Sequence, residues 1–345
     1  ALWRRALDLD RVGLDDNFFE LGGQSLNAME FVVALRRELG VDVEGIEVLR
    51  ETLEVLASSC DRRLGRPVRA ATPRERPNSL VERIELFHFG AQRSLYGALH
   101  WPTAQCGNEA VLVCAPVGHE HVRSHFILNR LGRHLAVQGI PVLRFDYFGC
   151  GDSLGESVDA GCERWQHDIA QAHCELRSRT GATHIVGVGA RLGATLLSNA
   201  LSRADLARLV VWDPVGEGMG FYAEMAEMQR RYVLGTQHLR LGRAPRATLA
   251  AVELLGATYS AAAVRQLQSL AFAASPGTLP THWLITSQPQ QQRSLYQALA
   301  GSKGQSHVAQ LDFDCGWNEV ARMSEVLPDV GISRALAAMV TQEPC

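Results

Sequence analysis

No run of about 18 consecutive apolar residues occurs in the 345-residue sequence, so a membrane-spanning helix is not expected. No export signal is expected either. The chain begins Ala1-Leu2-Trp3-Arg4-Arg5, already inside an amphipathic pattern, which reads as a piece of a longer polypeptide. Its eight cysteines, at positions 60, 106, 114, 150, 162, 174, 315 and 345, are scattered and include no CxxC pair. Free thiols in a reducing cytoplasm are therefore expected. Strong charge of either sign is also absent, and a net charge of −3 argues against a general nucleic-acid binder. There are no internal repeats and no low-complexity tracts. What remains is ordinary soluble composition, 46% hydrophobic and 21% charged, in a chain long enough for two domains.

Charge and proline divide the chain. Residues 1–60 carry 6 Arg against 12 Asp and Glu, whereas residues 61–80 carry 6 Arg against 2 acids, with Pro67, Pro73 and Pro77 among them. The second stretch reads as a flexible basic linker. Beyond it, strand-like runs at 82–88, 94–101, 110–115, 141–146, 183–189, 208–213, 282–287 and 307–313 alternate with helical patterns at 122–138, 162–179, 191–203, 290–301 and 329–341. Such alternation predicts a mostly parallel sheet with helices on both faces, in a domain spanning 81–345. Residues 214–280 read as helical throughout (Phe221–Leu234, Arg246–Leu255, Ala261–Phe272). They are expected to form a cap over the carboxyl edge of the strands, where such sheets bind ligands.

In the first module the informative stretch is Asp15-Asp16-Asn17-Phe18-Phe19-Glu20-Leu21-Gly22-Gly23-Gln24-Ser25-Leu26. Two glycines allow an open turn directly before a helix from Ser25 to Leu39, with Leu26, Met29, Val32 and Val33 on one face. A serine there is open to a modifying enzyme, although serine is also a favoured N-cap. The wider pattern decides between these readings. Leu7-Asp8-Leu9-Asp10, the stretch just quoted and Glu51-Thr52-Leu53-Glu54-Val55-Leu56-Ala57 together resemble a peptidyl-carrier domain of a nonribosomal peptide synthetase. The resemblance covers Trp3 to Ala57 within a module of 1–60. It implies a small all-α four-helix bundle, with 4'-phosphopantetheine on Ser25 holding an acyl or aminoacyl thioester.

The second domain resembles an α/β-hydrolase of the serine-aminopeptidase-like group. The resemblance rests on Cys114-Ala115-Pro116-Val117-Gly118, on Leu143 to Ser153, on Gly187-Val188-Gly189-Ala190-Arg191-Leu192-Gly193-Ala194 and on Trp212-Asp213-Pro214-Val215. After a carrier, such a domain is normally a thioesterase that releases the finished chain. Its chemistry does not match. A nucleophile elbow needs G-x-S-x-G at a strand-to-helix turn, and the slot reads Gly189-Ala190-Arg191-Leu192-Gly193. Arginine stays protonated and cannot attack a thioester. Gly151-Asp152-Ser153-Leu154-Gly155 fits the motif literally but follows the wrong strand. No histidine follows His307, where the triad base belongs, and Asp314 to Leu327 offers Cys315, Asn318, Arg322 and Ser324 instead. Ser287-Gln288-Pro289-Gln290 has no carboxylate, which leaves Asp213 as the one candidate acid. Hydrolysis by the usual triad is not expected.

Parts of a site remain. The Leu192 amide at a helix start and the Val117-Gly118 loop could still bind an oxyanion. Arg191 at that helix end either binds an anion or pairs with a nearby acid. His119 or His121 could act as a relocated base. His121 and His125, four residues apart, could share a helical face as metal ligands do, but hydrogen bonding is the commoner use and no metal is expected. Cys150 and Cys315 lie at the same sheet edge and could form an acyl intermediate if a neighbour lowered their pKa. Phe221, Tyr222, Met225 and Met228 read as core and pocket lining.

Three functions follow as expectations, the third being a non-hydrolytic reaction, such as a cyclisation or elimination, that uses the oxyanion site and Arg191 with no covalent intermediate. In the first, the second domain offloads or transfers the thioester from Ser25 through a rearranged site built on Arg191. In the second, it is a catalytically inactive hydrolase fold that binds or presents the cargo to a partner enzyme. Expected partners are upstream synthetase modules, a phosphopantetheinyl transferase, the carrier-bound acyl substrate and a trans-acting tailoring enzyme.

Overall fold

Apolar residues of the N-terminal region recur at helical spacing, and in the computed structural model they fold into α1 (Leu2–Leu7), α2 (Ser25–Leu39), α3 (Gly45–Arg50) and α4 (Leu53–Arg63). The structure describes residues 2–7, 12–14, 16–19, 21, 23, 25–66, 83–102, 107–235, 251–273, 279–286 and 306–342. The chain divides into two units, Ala1–Leu80 with Glu325–Gly331, and Val81–Ser324 with Ile332–Cys345. Helix α4 runs to Arg63, so the expected linker begins inside a helix, and 67–80 lie outside the described residues.

The helical unit is held by aromatic packing. Phe18 is fully buried, stacked on Phe31 at 5.6 Å and edge-on to Trp3 at 5.4 Å between ring centroids. Helix α2 turns Ala28, Phe31 and Leu35 to this core and leaves Met29 and Val33 exposed.

In the second unit, short runs rich in apolar residues form an eight-stranded sheet: β1 (Arg83–Phe89), β2 (Leu95–Trp101), β3 (Glu109–Cys114), β4 (Val142–Asp146), β5 (His184–Ala190), β6 (Arg208–Trp212), β9 (Thr281–Ile285) and β10 (Ser306–Gln310). Its order is β1-β2-β4-β3-β5-β6-β9-β10. The pairs β1–β2 and β2–β4 are antiparallel and all others parallel, as the hydrolase resemblance implies. Parallel neighbours need crossovers, supplied by α5 (His119–Val137), α6 (Cys162–Thr180) and α7 (Leu192–Asn199). Along β3, Ala110, Leu112 and Cys114 join the core formed with α6 and α7. The intervening Val111 and Val113 are buried outside it, as a sheet covered on both faces requires. Helix α5 packs with α10 (Ile332–Thr341). The helical pattern expected at 290–301 lies outside the described residues.

The expected all-helical cap needs correction. Residues 214–280 contain α8 (Gly218–Gly235) and α9 (Ala261–Ser269), but between them stands an antiparallel hairpin, β7 (Ala251–Leu254) paired with β8 (Ala257–Ser260). Its two-residue turn puts Leu255 at φ 51° and Gly256 at φ 87°. Positive φ at both central positions matches the strand twist of a hairpin. Leucine is an unusual first residue for that turn, and Ala-Val-Glu-Leu scores well as helix, so the local signal misleads.

Candidate functional site

Elements of the helical unit converge on the loop before α2. Asp16 accepts a hydrogen bond from the Gly13 amide (2.6 Å), and Asn17 Nδ2 donates to the Glu51 carbonyl (3.1 Å). The Gly23 amide donates to the Phe18 carbonyl at 3.0 Å. A Cβ on Gly23 would lie 2.4 Å from the Phe18 ring and 2.6 Å from that carbonyl, so only glycine fits. The anchored turn delivers the chain into α2 at Ser25, whose side chain lies outside the described residues. Nearby, Phe19, Met29, Val32, Val33 and Ile46 line an apolar groove of about 390 Å³. A serine that opens a helix after such a turn suits the attachment of a long, flexible arm.

At the carboxyl edge of the sheet, the elbow is built but carries no nucleophile. Arg191 has φ 50° and ψ −126°, the strained backbone that a strand-to-helix nucleophile turn imposes. Gly193 is pressed against β3, where a Cβ would lie 2.2 Å from the Ala115 carbonyl oxygen. The Arg191 side chain is only 6% exposed. Its Nε donates to Glu120 Oε1 at 2.9 Å and its Nη1 to the Asp213 carbonyl at 3.2 Å, with the guanidinium 5.2 Å from the Trp317 ring centroid. Burial works against its charge, but Glu120 and Asp213 outweigh that and hold its pKa above the ordinary arginine value. Glu120 Oε2 is buried without a hydrogen-bond partner among the described residues.

The Asp213 carboxylate is occupied elsewhere. It accepts from the Thr286 amide (2.8 Å), from the Thr286 hydroxyl and from Trp317 Nε1 (2.9 Å). The Thr286 hydroxyl also meets Cys315 Sγ at 3.0 Å. Thus Cys315 and Trp317 pack into the corner around Asp213 and Thr286. Arg123 closes it from behind, donating to the Cys315 carbonyl (2.7 Å) and the Gly316 carbonyl (2.9 Å). Burial, with Asp213 nearby, pushes the Cys315 thiol well above the ordinary range. Burial also lifts the Cys150 thiol to about 12, helped by Asp146 and Asp168. Neither sulfur has the environment of a reactive thiolate. Burial lowers the His119 pKa to about 4, and its Nε2 has no hydrogen-bond partner among the described residues. Val117 is buried and Gly118 sits at φ 63°, leading into α5. The Leu192 amide stands in the first turn of α7, where amides have no intrahelical acceptor.

A cavity lies beside the elbow and not upon it. About 670 Å³ opens between the start of α5, the loop after β4 and the β7–β8 hairpin, and Arg191 does not line it. His121 Nε2 stands 3.9 Å from Asp146 Oδ1 in its wall, and burial lowers the His121 pKa despite that carboxylate. Cys150 and Gly118 line the cavity too, whereas His119 does not. His125 binds the Val122 carbonyl through Nδ1 at 2.9 Å. Ser153 is spent on structure, donating to the Asp146 carbonyl (2.6 Å) and accepting from the Tyr96 amide (2.8 Å). Among the described residues no group of three or more His, Cys, Asp or Glu side chains is placed to hold a metal ion. Among them, too, no helix is long and apolar enough to cross a membrane.

Residues 1–58 match the family model described as "Phosphopantetheine attachment site". The N-terminal domain is a phosphopantetheine carrier domain. Carrier regions of known synthetases are similar to it. It is 33% identical over 78 residues to surfactin synthase subunit 1 of Bacillus subtilis, covering 22% of this chain and 2% of that one. It is 44% identical over 75 residues to malpibaldin synthetase of Mortierella alpina, covering 21% and 1%. The chain thus spans about 2% of the length of the first curated relatives it matches. Solved structures resemble the second unit. Est1E from Butyrivibrio proteoclasticus, with ferulic acid bound, superposes with a TM-score of 0.50 at 17% identity, covering 71% of this chain and 93% of that one. A hypothetical protein, PA2218 of Pseudomonas aeruginosa, gives 0.51 at 12% identity, covering 75% and 93%. These likenesses show the fold, that of an α/β-hydrolase.

Behind the carrier domain, then, stands a hydrolase fold in which Arg191, Asp213 and the Val117–Gly118 loop meet at one sheet edge, while His121 and Cys150 belong to the adjoining cavity. Two residues were missed from sequence. Glu120, the partner of Arg191, is one of many acids, and only its place in the first turn of α5, next to the Val117-Gly118 loop, marked it. Tyr259 lines the cavity from a hairpin that reads as helix.

Proposed function

We propose that this chain is part of a nonribosomal peptide synthetase in which the carrier domain holds an acyl or aminoacyl thioester, and the hydrolase-fold domain receives that cargo without hydrolysing it through an elbow nucleophile. When attached to Ser25, the phosphopantetheine arm supplies a flexible thiol that carries the acyl group. The reading rests chiefly on the buried Arg191–Glu120 pair at 2.9 Å, which fills the nucleophile's position. A removed partner would leave a charge uncompensated, so the pair keeps the elbow closed. On this reading the domain binds or presents the cargo to a partner, such as a tailoring enzyme. Upstream modules and a phosphopantetheinyl transferase act on the carrier, in the cytoplasm.

The experiment is direct. The carrier is loaded with an acyl-pantetheine and its intact mass followed with time. A thioester no shorter-lived than a free acyl-pantetheine thioester in the same buffer is expected. Release above that rate, lost in Arg191→Ala or Cys150→Ala, would refute the reading. One observation favours the offloading alternative, namely the His121–Asp146 pair in the cavity. Release that survives Arg191→Ala but is lost in His121→Ala would establish it.

A further inference from the structure

The cavity of about 670 Å³ falls within the range of small-molecule sites, roughly 300–1,000 Å³. Its polar groups are unevenly signed. Asp146, Asp152 and Glu156 contribute three carboxylates. The one guanidinium in its wall, Arg144, is engaged by His100 Nε2 and Asn129 Oδ1, each at 3.0 Å. Burial lowers the His121 pKa, which favours its neutral form. Asp152 and Glu156 are exposed at the rim and form no ion pair.

A second observation is independent of the carboxylates. Tyr259 is only 5% exposed and lines the cavity, and its hydroxyl has no hydrogen-bond partner among the described residues. That oxygen lies 3.8 Å from where a Cβ on Gly118 would stand, beside the loop after β3. Burial raises the phenol further, so it remains a protonated donor. Its hairpin is fixed from the other side, with the Thr258 amide donating to Ser157 Oγ at 3.0 Å. A phenol hydroxyl with no protein acceptor among the described residues is a donor available to whatever enters the cavity.

We propose that this cavity binds an acyl chain bearing a cationic amine, the ammonium facing the Asp152 and Glu156 carboxylates and the acyl carbonyl accepting from Tyr259. The proposal rests on the reading that the domain receives the carrier's cargo, and it adds the class of that cargo.

Two amide-linked pantetheine probes of equal length, aminohexanoyl and hexanoyl, separate the ideas. Each is titrated calorimetrically into the full chain carrying Ser25→Ala, which has no arm of its own. The aminohexanoyl probe is expected to bind roughly tenfold tighter at low salt, with the advantage shrinking as salt rises. Asp152→Asn with Glu156→Gln should remove most of that advantage and leave hexanoyl binding unchanged. Tyr259→Phe should weaken both probes by about fivefold. Equal binding of the two probes, or tighter hexanoyl binding, overturns the amine inference while the cargo reading stands. Binding of neither overturns both. Because Asp152 and Glu156 are exposed, their neutral variants keep the fold, which circular dichroism checks.

Discussion

Substituting Arg191 with methionine tests the closed elbow most directly. Methionine is close in length and, like arginine, is not glycine, so the strained backbone at φ 50° is common to both chains. What changes is the charge. Glu120 loses its 2.9 Å donor, and its other oxygen already lacks one among the described residues. Breaking a buried ion pair from one side costs about 3–5 kcal/mol, which for a domain of this size lowers the unfolding midpoint by on the order of 10 °C. Replacing both partners, Arg191→Met with Glu120→Met, leaves no orphaned charge and should recover most of the loss. The sign with pH is fixed as well. Burial raises the Glu120 pKa, and removing Arg191 removes a pull in the opposite direction. The folded single variant then holds a proton that the unfolded chain releases above about pH 4.3, so its stability falls as pH rises above that value. Thermal unfolding followed by tryptophan emission suits the measurement, because five of the six tryptophans lie beyond residue 81 and Trp317 touches Arg191. A loss under about 1 kcal/mol, a double variant no better than the single, or a deficit that grows as pH is lowered from 8 to 5 would refute the argument.

Other outcomes follow from the same contacts. Ser25→Ala should abolish the mass gained on incubation with a phosphopantetheinyl transferase and coenzyme A while keeping the helical circular dichroism. Gly23→Ala drives a methyl into Phe18 and should destabilise the carrier domain by about 1–3 kcal/mol, read by denaturant titration of Trp3 emission in chains whose other tryptophans are phenylalanine. Iodoacetamide at pH 7.5 should label exposed Cys174 well before Cys150, whose labelling should climb about tenfold per pH unit because its thiol titrates near 12. His119, lowered to about 4, should stay neutral in NMR titration down to pH 5. Its contribution to stability is complete above the unfolded value near 6.5 and is lost as pH falls from there towards 4.

Much of the frame was legible because its signals are local. Predicted strands at 82–88, 94–101, 110–115, 141–146, 183–189 and 208–213 fall within a residue or so of β1 to β6, and for the inner strands β3 to β6 the reason is that a strand buried on both faces reads as an apolar run whatever lies around it. The strand expected at 307–313 stops at Gln310, and the helix expected at 191–203 stops at Asn199. The hairpin at 251–260 escaped because its residues favour helix and its turn carries leucine at positive φ.

The sequence by itself determined that Ser25 stands at the start of a helix after two glycines and that no serine occupies the elbow, because both facts are matters of adjacency along the chain. Only the tertiary structure decided what Arg191 does there. Its partner Glu120 lies 71 residues away, and the pair exists because β3 and β5 lie side by side and end at the same edge. The cavity was decided in the same way. His121, Asp146 and Tyr259 come from three separate elements and are brought together by burial, which acts through space and leaves no mark at any spacing in the sequence.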